Sequence, residues 1–98
     1  MTQLEKEVEA YLVRRVKSMG GQCLKWVCPG NSGVPDRIVL LPGGRVCFVE
    51  LKRPKGGRVG HLQNYWRLLL TDLGFPAYIA SNRTDVDVIL DCMGWAVD

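Results

Sequence analysis

Histidine is nearly absent from this sequence: His61 is the only one. Zinc sites built from Cys and His normally use two close ligand pairs, and the four cysteines supply one at most. Cys23 and Cys28 stand as C-x4-C, while Cys47 and Cys92 are isolated. The polar start "MTQLEKEVEA" has no signal-peptide character, so the expected state of the cysteines is four small buried thiols, with no disulfide. Long apolar runs are missing as well, none nearing the roughly 18 residues a membrane span needs. The expectation is a cytoplasmic protein that does not contact a membrane. Charge of one sign is modest: a net +3 permits nucleic acid without demanding it. Repeats, linkers and low-complexity tracts are absent. What is present, 98 residues at 47% hydrophobic content, is enough for one globular domain over residues 1–98.

Apolar periodicity lays out the elements. Leu4, Val8, Leu12, Val16 and Met19 fall at helical spacing over residues 3–19, and Gly20-Gly21 supply the stop. Residues 22–28, "QCLKWVC", read as a strand broken by the loop "PGNSGVP". "DRIVLL" and "RVCFVELK" flank "PGG" and read as a β-hairpin. A second helix over "GHLQNYWRLLLTDLGF" ends at Gly74, and "PAYIAS" follows as a short strand. "TDVDVILDCM" is a last helix that Thr84 or Asp85 would cap. A helix joining two strands implies a parallel pair, so the expected class is α/β with a mixed sheet flanked by helices.

The hairpin carries three charges that a simple core would not. Side chains alternate along a strand, so Glu50 and Lys52 share a face that Leu51 does not. A three-residue loop at Pro42-Gly43-Gly44 puts Leu41 across from Arg45, Ile38 across from Phe48 and Asp36 across from Glu50. A two-residue loop slips the register and sends Asp36 to the other face. In the first register two carboxylates repel across an apolar face. A divalent cation such as Mg²⁺ reverses that cost, and the lysine ammonium would then lie beside it. Just behind, Lys52, Arg53, Lys55, Arg58 and Arg67 follow one another with no acid before Asp72. Taken alone, that run is a solvated loop.

These residues resemble a known signature. "PD", thirteen residues, then "ELK" is similar to the PD-(D/E)-x-K motif of restriction-endonuclease-like nucleases. The α-β-β-β-α-β order agrees with their common core. "GVPDRIVLLPGGRVCFVELKRPKG" followed by "LQNYW" resembles more closely the virus-type replication-repair nuclease (VRR-NUC) domain, in the stand-alone form found in phages. The resemblance implies that Asp36, Glu50 and the backbone carbonyl of Leu51 hold Mg²⁺ or Mn²⁺ and that Lys52 is the catalytic lysine. It also implies an acidic ligand from the first helix, Glu9 by preference with Glu5 as the alternative, and a positioning role for Gln63. Lys25, Ser32, Arg53, Lys55 and Arg58 are the expected phosphate contacts. The implied activity is hydrolysis of phosphodiesters in branched DNA, in the host cytoplasm if the chain is phage-encoded. Resolution of four-way (Holliday) junctions by a homodimer, in DNA repair or recombination, comes first, and flap or splayed-end cleavage second. No small-molecule cofactor is implied.

Two other classes compete. A non-catalytic DNA-binding module would have no physical reason to keep abutting carboxylates. A zinc or redox protein would reveal itself by stoichiometric metal and loss of fold to chelator. Single residues also have plainer readings. Trp26, Trp66 and Trp95 read as core, with base stacking a second role for Trp26. Asn31 and Ser32 read first as turn residues and second as phosphate contacts.

Overall fold

The structure, a computed structural model, describes residues 2–53 and 57–94. Helix α1 spans Gln3–Ser18 and opens on a capping box, in which Thr2 Oγ1 accepts from the Glu5 amide at 3.2 Å and the Glu5 carboxylate reaches back to Thr2. Its apolar stripe buries Val8, Leu12 and Val16, while Leu4 in the first turn stays 54% exposed. Arg15 and Lys17 in the last turn suit the negative end of the helix dipole.

Strands β1 (Gln22–Lys25), β2 (Arg37–Leu41) and β3 (Arg45–Leu51) follow, then α2 (His61–Asp72), β4 (Ala77–Ala80) and α3 (Arg83–Gly94). The sheet order is β1-β2-β3-β4, antiparallel across the first two junctions and parallel between β3 and β4. The parallel pair is the one joined through α2, as a crossover connection requires. Strand β1 is shorter than its apolar pattern predicts. The Trp26 amide still donates to the Asp36 carbonyl at 3.0 Å, but a turn then closes from Asn31 to the Cys28 carbonyl and carries the chain away.

The hairpin register is the three-residue one. Leu41 lies opposite Arg45, Leu40 opposite Val46, Ile38 opposite Phe48 and Arg37 opposite Val49. Gly43 and Gly44 both sit at positive φ (85° and 75°), which explains why the turn needs two glycines. Each sheet face then meets its own cover. Val39, Leu41, Cys47, Val49 and Leu51 pack with Val8, Leu12 and Val16 of α1 and Val86, Ile89, Leu90 and Met93 of α3 in one buried cluster. On the opposite face Phe48 meets Trp26 and Phe75, and Trp26 meets Trp66 of α2, at ring-centroid distances of 5.1, 5.9 and 6.0 Å.

Three local expectations are corrected. Asn82 caps α3, its side chain accepting from the Asp85 amide at 2.7 Å, and Asp85 instead accepts from the Ser81 amide at 2.8 Å. The helix starts at Arg83, one residue before the expected Thr84, so the cap lies one turn ahead of Asp85. All four cysteines are free, but Cys47 alone is buried; Cys23 and Cys28 are half-buried and Cys92 is exposed. Cys92 sits on the outer side of α3, which a cysteine tolerates as a small side chain. Trp26 and Trp66 are half-buried and form a one-sided aromatic layer rather than a sealed core. Trp95 and Lys55 lie outside the described residues.

Candidate active site

Backbone pairing between β2 and β3 reaches Arg37–Val49, and Asp36 takes the next position with its side chain. Its Oδ2 accepts from the Leu51 amide at 2.8 Å, which ties the end of β2 to the end of β3. One residue earlier on β3, Glu50 is the sole buried charged residue among those described, at 7% exposure. Lys52 follows, and its own amide donates to the Ala80 carbonyl at 3.0 Å, so the sheet holds its backbone too.

Gln63, in the first turn of α2, joins these groups. Its Nε2 donates to Glu50 Oε2 at 2.6 Å, and its Oε1 accepts from Lys52 Nζ at 2.7 Å and from the Gly60 amide at 2.9 Å. Lys52 Nζ also lies 3.3 Å from Glu50 Oε2. Only one orientation of the Gln63 amide serves two donors and one acceptor, so the network sets it. Gly33 brings α2 to this place. It has φ +88°, and a Cβ there would meet the Leu62 backbone carbon and Cβ at 2.6 Å. The loop leading to Asp36 therefore lies directly on the start of α2.

The electrostatics follow from that crowding. Burial, then the nearby charge of Asp36, pushes the Glu50 carboxyl up to about 7, against the partial relief of Lys52. Burial also raises Asp36; the Leu51 amide lowers it, while the charges of Glu9 and Glu5 raise it further. Two carboxyls in one dry site resist ionising together, and positive charge between them would lower both.

The acids of α1 have partners of their own. Glu9 Oε2 accepts from Arg37 Nε at 3.0 Å in a pair whose side chains are 13% and 14% exposed, and Arg37 Nη1 also donates to the Cys23 carbonyl at 3.0 Å. Glu5 is engaged in the capping box. Both raise Asp36, with Glu9 the stronger. Arg37 escaped the sequence reading, although a signal existed. It stands on the strand face of Val39 and Leu41, and an arginine there needs a buried acid. Of the expected phosphate contacts, Lys25, Ser32, Arg53 and Arg58 are all exposed. No three acidic, Cys or His side chains among the described residues converge as a ready-made metal cluster. The donor set is instead two carboxylates and the main chain. Two carboxylates at the end of the sheet, Asp36 and Glu50, are the kind of hard oxygen donors that a divalent cation takes.

A carboxylate pair and lysine at one end of a mixed sheet, closed by a helix glutamine, define a class that the comparisons make specific. A solved structure described as "VRR_NUC domain" matches with a TM-score of 0.86 and 27% identity, over 92% of this chain and 97% of that one. Another, "VRR_NUC domain protein", matches at 0.73 over 95% and 89%; at 15% identity it shows a shared fold alone. This chain has the VRR_NUC fold, as its motif indicates. Among curated proteins it is 50% identical over 50 residues to "Putative nuclease p44" of Acyrthosiphon pisum secondary endosymbiont phage 1. That alignment takes in 51% of this chain and 54% of the phage protein, so it spans about half the length of each. No family model matches the chain.

Proposed function

We propose that this protein is a divalent-metal-dependent deoxyribonuclease that cuts branched DNA. The carrying observation is the convergence of Asp36, Glu50, Lys52 and Gln63. Asp36, Glu50 and the Leu51 carbonyl are the groups that would hold Mg²⁺ or Mn²⁺; when bound, the ion supplies Lewis-acid activation of the phosphodiester and its attacking water. Lys52 holds positive charge where the phosphate gains negative charge, and Gln63 keeps the ammonium and Glu50 in register. Exposed Lys25, Arg53 and Arg58 give contacts to the DNA backbone, which position without reading sequence. A non-catalytic DNA-binding module is disfavoured by the cost of burying Glu50 beside Asp36 for no chemical return.

Within branched DNA, a four-way junction cut by a two-fold pair of chains is the first substrate, because two equivalent sites then face two symmetric strands. The experiment compares wild type with Asp36→Ala and Lys52→Ala on a junction, a flap and a linear duplex, with and without Mg²⁺. Metal-dependent cutting by wild type, lost by at least 100-fold in both variants, is expected from the loss of charge stabilisation (~2.7–4 kcal/mol). Equal residual cutting by all three proteins rejects the assignment. Cutting of flaps with intact junctions rejects only the resolvase refinement, and gel filtration with cross-linking decides the dimer.

A further inference from the structure

Beside the site lies a pocket that the catalytic groups do not use. It has a volume of about 420 Å³ and is lined by Gly30, Asn31 and Ser32 of the loop and by Leu62, Tyr65 and Trp66 of α2. Its two walls are the same elements that deliver Asp36 and Gln63, and the contact of Gly33 with Leu62 locks them together. The loop wall reaches Asp36 four residues after Ser32, and the helix wall begins one residue before Gln63.

The pocket is amphipathic. Leu62 and Tyr65 are 55% and 57% exposed, unusual for two large apolar side chains one turn apart. Trp66 braces Tyr65 at a centroid distance of 5.9 Å with the rings 82° apart, which leaves at least one face of the Tyr65 ring uncovered. Trp66 is itself held edge-on by Trp26 at 6.0 Å and 74°. Opposite the rings, Ser32 and Asn31 offer a hydroxyl and an amide from an exposed loop, and none of the lining residues is acidic. A flat aromatic surface braced from behind, facing neutral hydrogen-bonding groups, suits a nucleobase: every base has a π-face to stack and an edge to bond. A base still paired and stacked in a duplex cannot enter it.

Resting on the nuclease reading, we propose that this pocket receives an unpaired nucleobase next to the phosphodiester that is cut. Tyr65 is its stacking platform, so the substrates are DNAs whose base at the scissile position is unpaired or opens there, as at a flap, a splayed end or the crossover of a junction. The pocket also gives a physical reason for selecting branch points over continuous duplex.

Binding tests this apart from cleavage. With EDTA present, the whole chain is titrated with a fully paired duplex and with the same duplex carrying one unpaired 2-aminopurine nucleotide. Wild type should bind the second about tenfold tighter and quench its fluorescence by stacking. Tyr65→Ala should lose both effects, whereas Tyr65→Phe should keep them, and matching thermal midpoints show that both variants are folded. Equal wild-type affinity for the two DNAs, or a preference that survives Tyr65→Ala, overturns the pocket assignment. Cleavage in Mg²⁺ is scored separately. A chain that prefers the unpaired base but cuts nothing leaves the pocket standing and removes the nuclease. A chain that cuts but shows no preference does the reverse.

Discussion

Gln63 shows how much one side chain can organise. It accepts from Lys52 and Gly60 and donates to Glu50, so removing it leaves an ammonium and a carboxylate without their fixed partner. Gln63→Ala should lower cleavage by ~10–100-fold, the usual cost of losing a group that orients metal or substrate ligands. Gln63→Glu, which places a third carboxylate against Glu50, should be worse, and steady-state rates on one DNA compare them. Glu50 carries a pH prediction. Its folded-state pKa of about 7 lies above the ordinary value of 4.5, so between those values the native state binds more protons than the unfolded chain. Metal-free protein should therefore lose stability as pH rises from about 4.5 through 7, the opposite of an ion-paired carboxylate. Thermal melts in EDTA at pH 5 and pH 8 measure this, and Glu50→Gln should flatten the difference. Added Mg²⁺ should restore stability at pH 8, by about 2.7 kcal/mol at a hundredfold excess over its dissociation constant. At this scale Asp36, Glu50 and Lys52 were legible from spacing and alternation. The Arg37–Glu9 pair was not, because partners 28 residues apart meet only once α1 lies on the sheet.

Among the elements, the hairpin was the most readable. Pro42-Gly43-Gly44 left a two- or a three-residue turn open, and the observed register is the three-residue one, with Leu41 opposite Arg45 and Ile38 opposite Phe48; backbone pairing stops at Arg37–Val49, one position short of Asp36 and Glu50. Strand β1 was less so. "QCLKWVC" has strand composition throughout, yet its last residues bend away because the loop must reach α2, a tertiary demand with no local signal. The cap of α3 was misplaced for a related reason: Asn82, Thr84 and Asp85 are all competent caps, and helix start alone selects among them. Gly33 bears the element-scale prediction. Any side chain there meets both the left-handed backbone penalty and the backbone of Leu62. Gly33→Ala should cost at least ~2 kcal/mol, seen as a lower denaturation midpoint. Because the shifted loop carries Asp36, cleavage should fall as well.

For the whole molecule, the sheet is covered unequally. One face is sealed under α1 and α3, while the other carries α2, an aromatic layer and the polar site. Leu12→Ala, at the centre of the sealed face, should cost about 2–5 kcal/mol. That lowers the thermal midpoint of a chain this size by about 10 °C or more, and the cleavage rate of the protein that stays folded should change little. The sequence by itself determined the class of fold and the shared face of Glu50 and Lys52, because alternation is a local rule, and it narrowed the hairpin to two registers, of which the folded sheet takes the one that brings Asp36 to the same end. Only the tertiary structure decided that Gln63 bridges the acid and the lysine, that Glu9 is held by Arg37, and that a loop and a helix enclose an aromatic pocket. Those outcomes depend on where separate elements come to rest on the sheet, and packing of buried surface sets those positions.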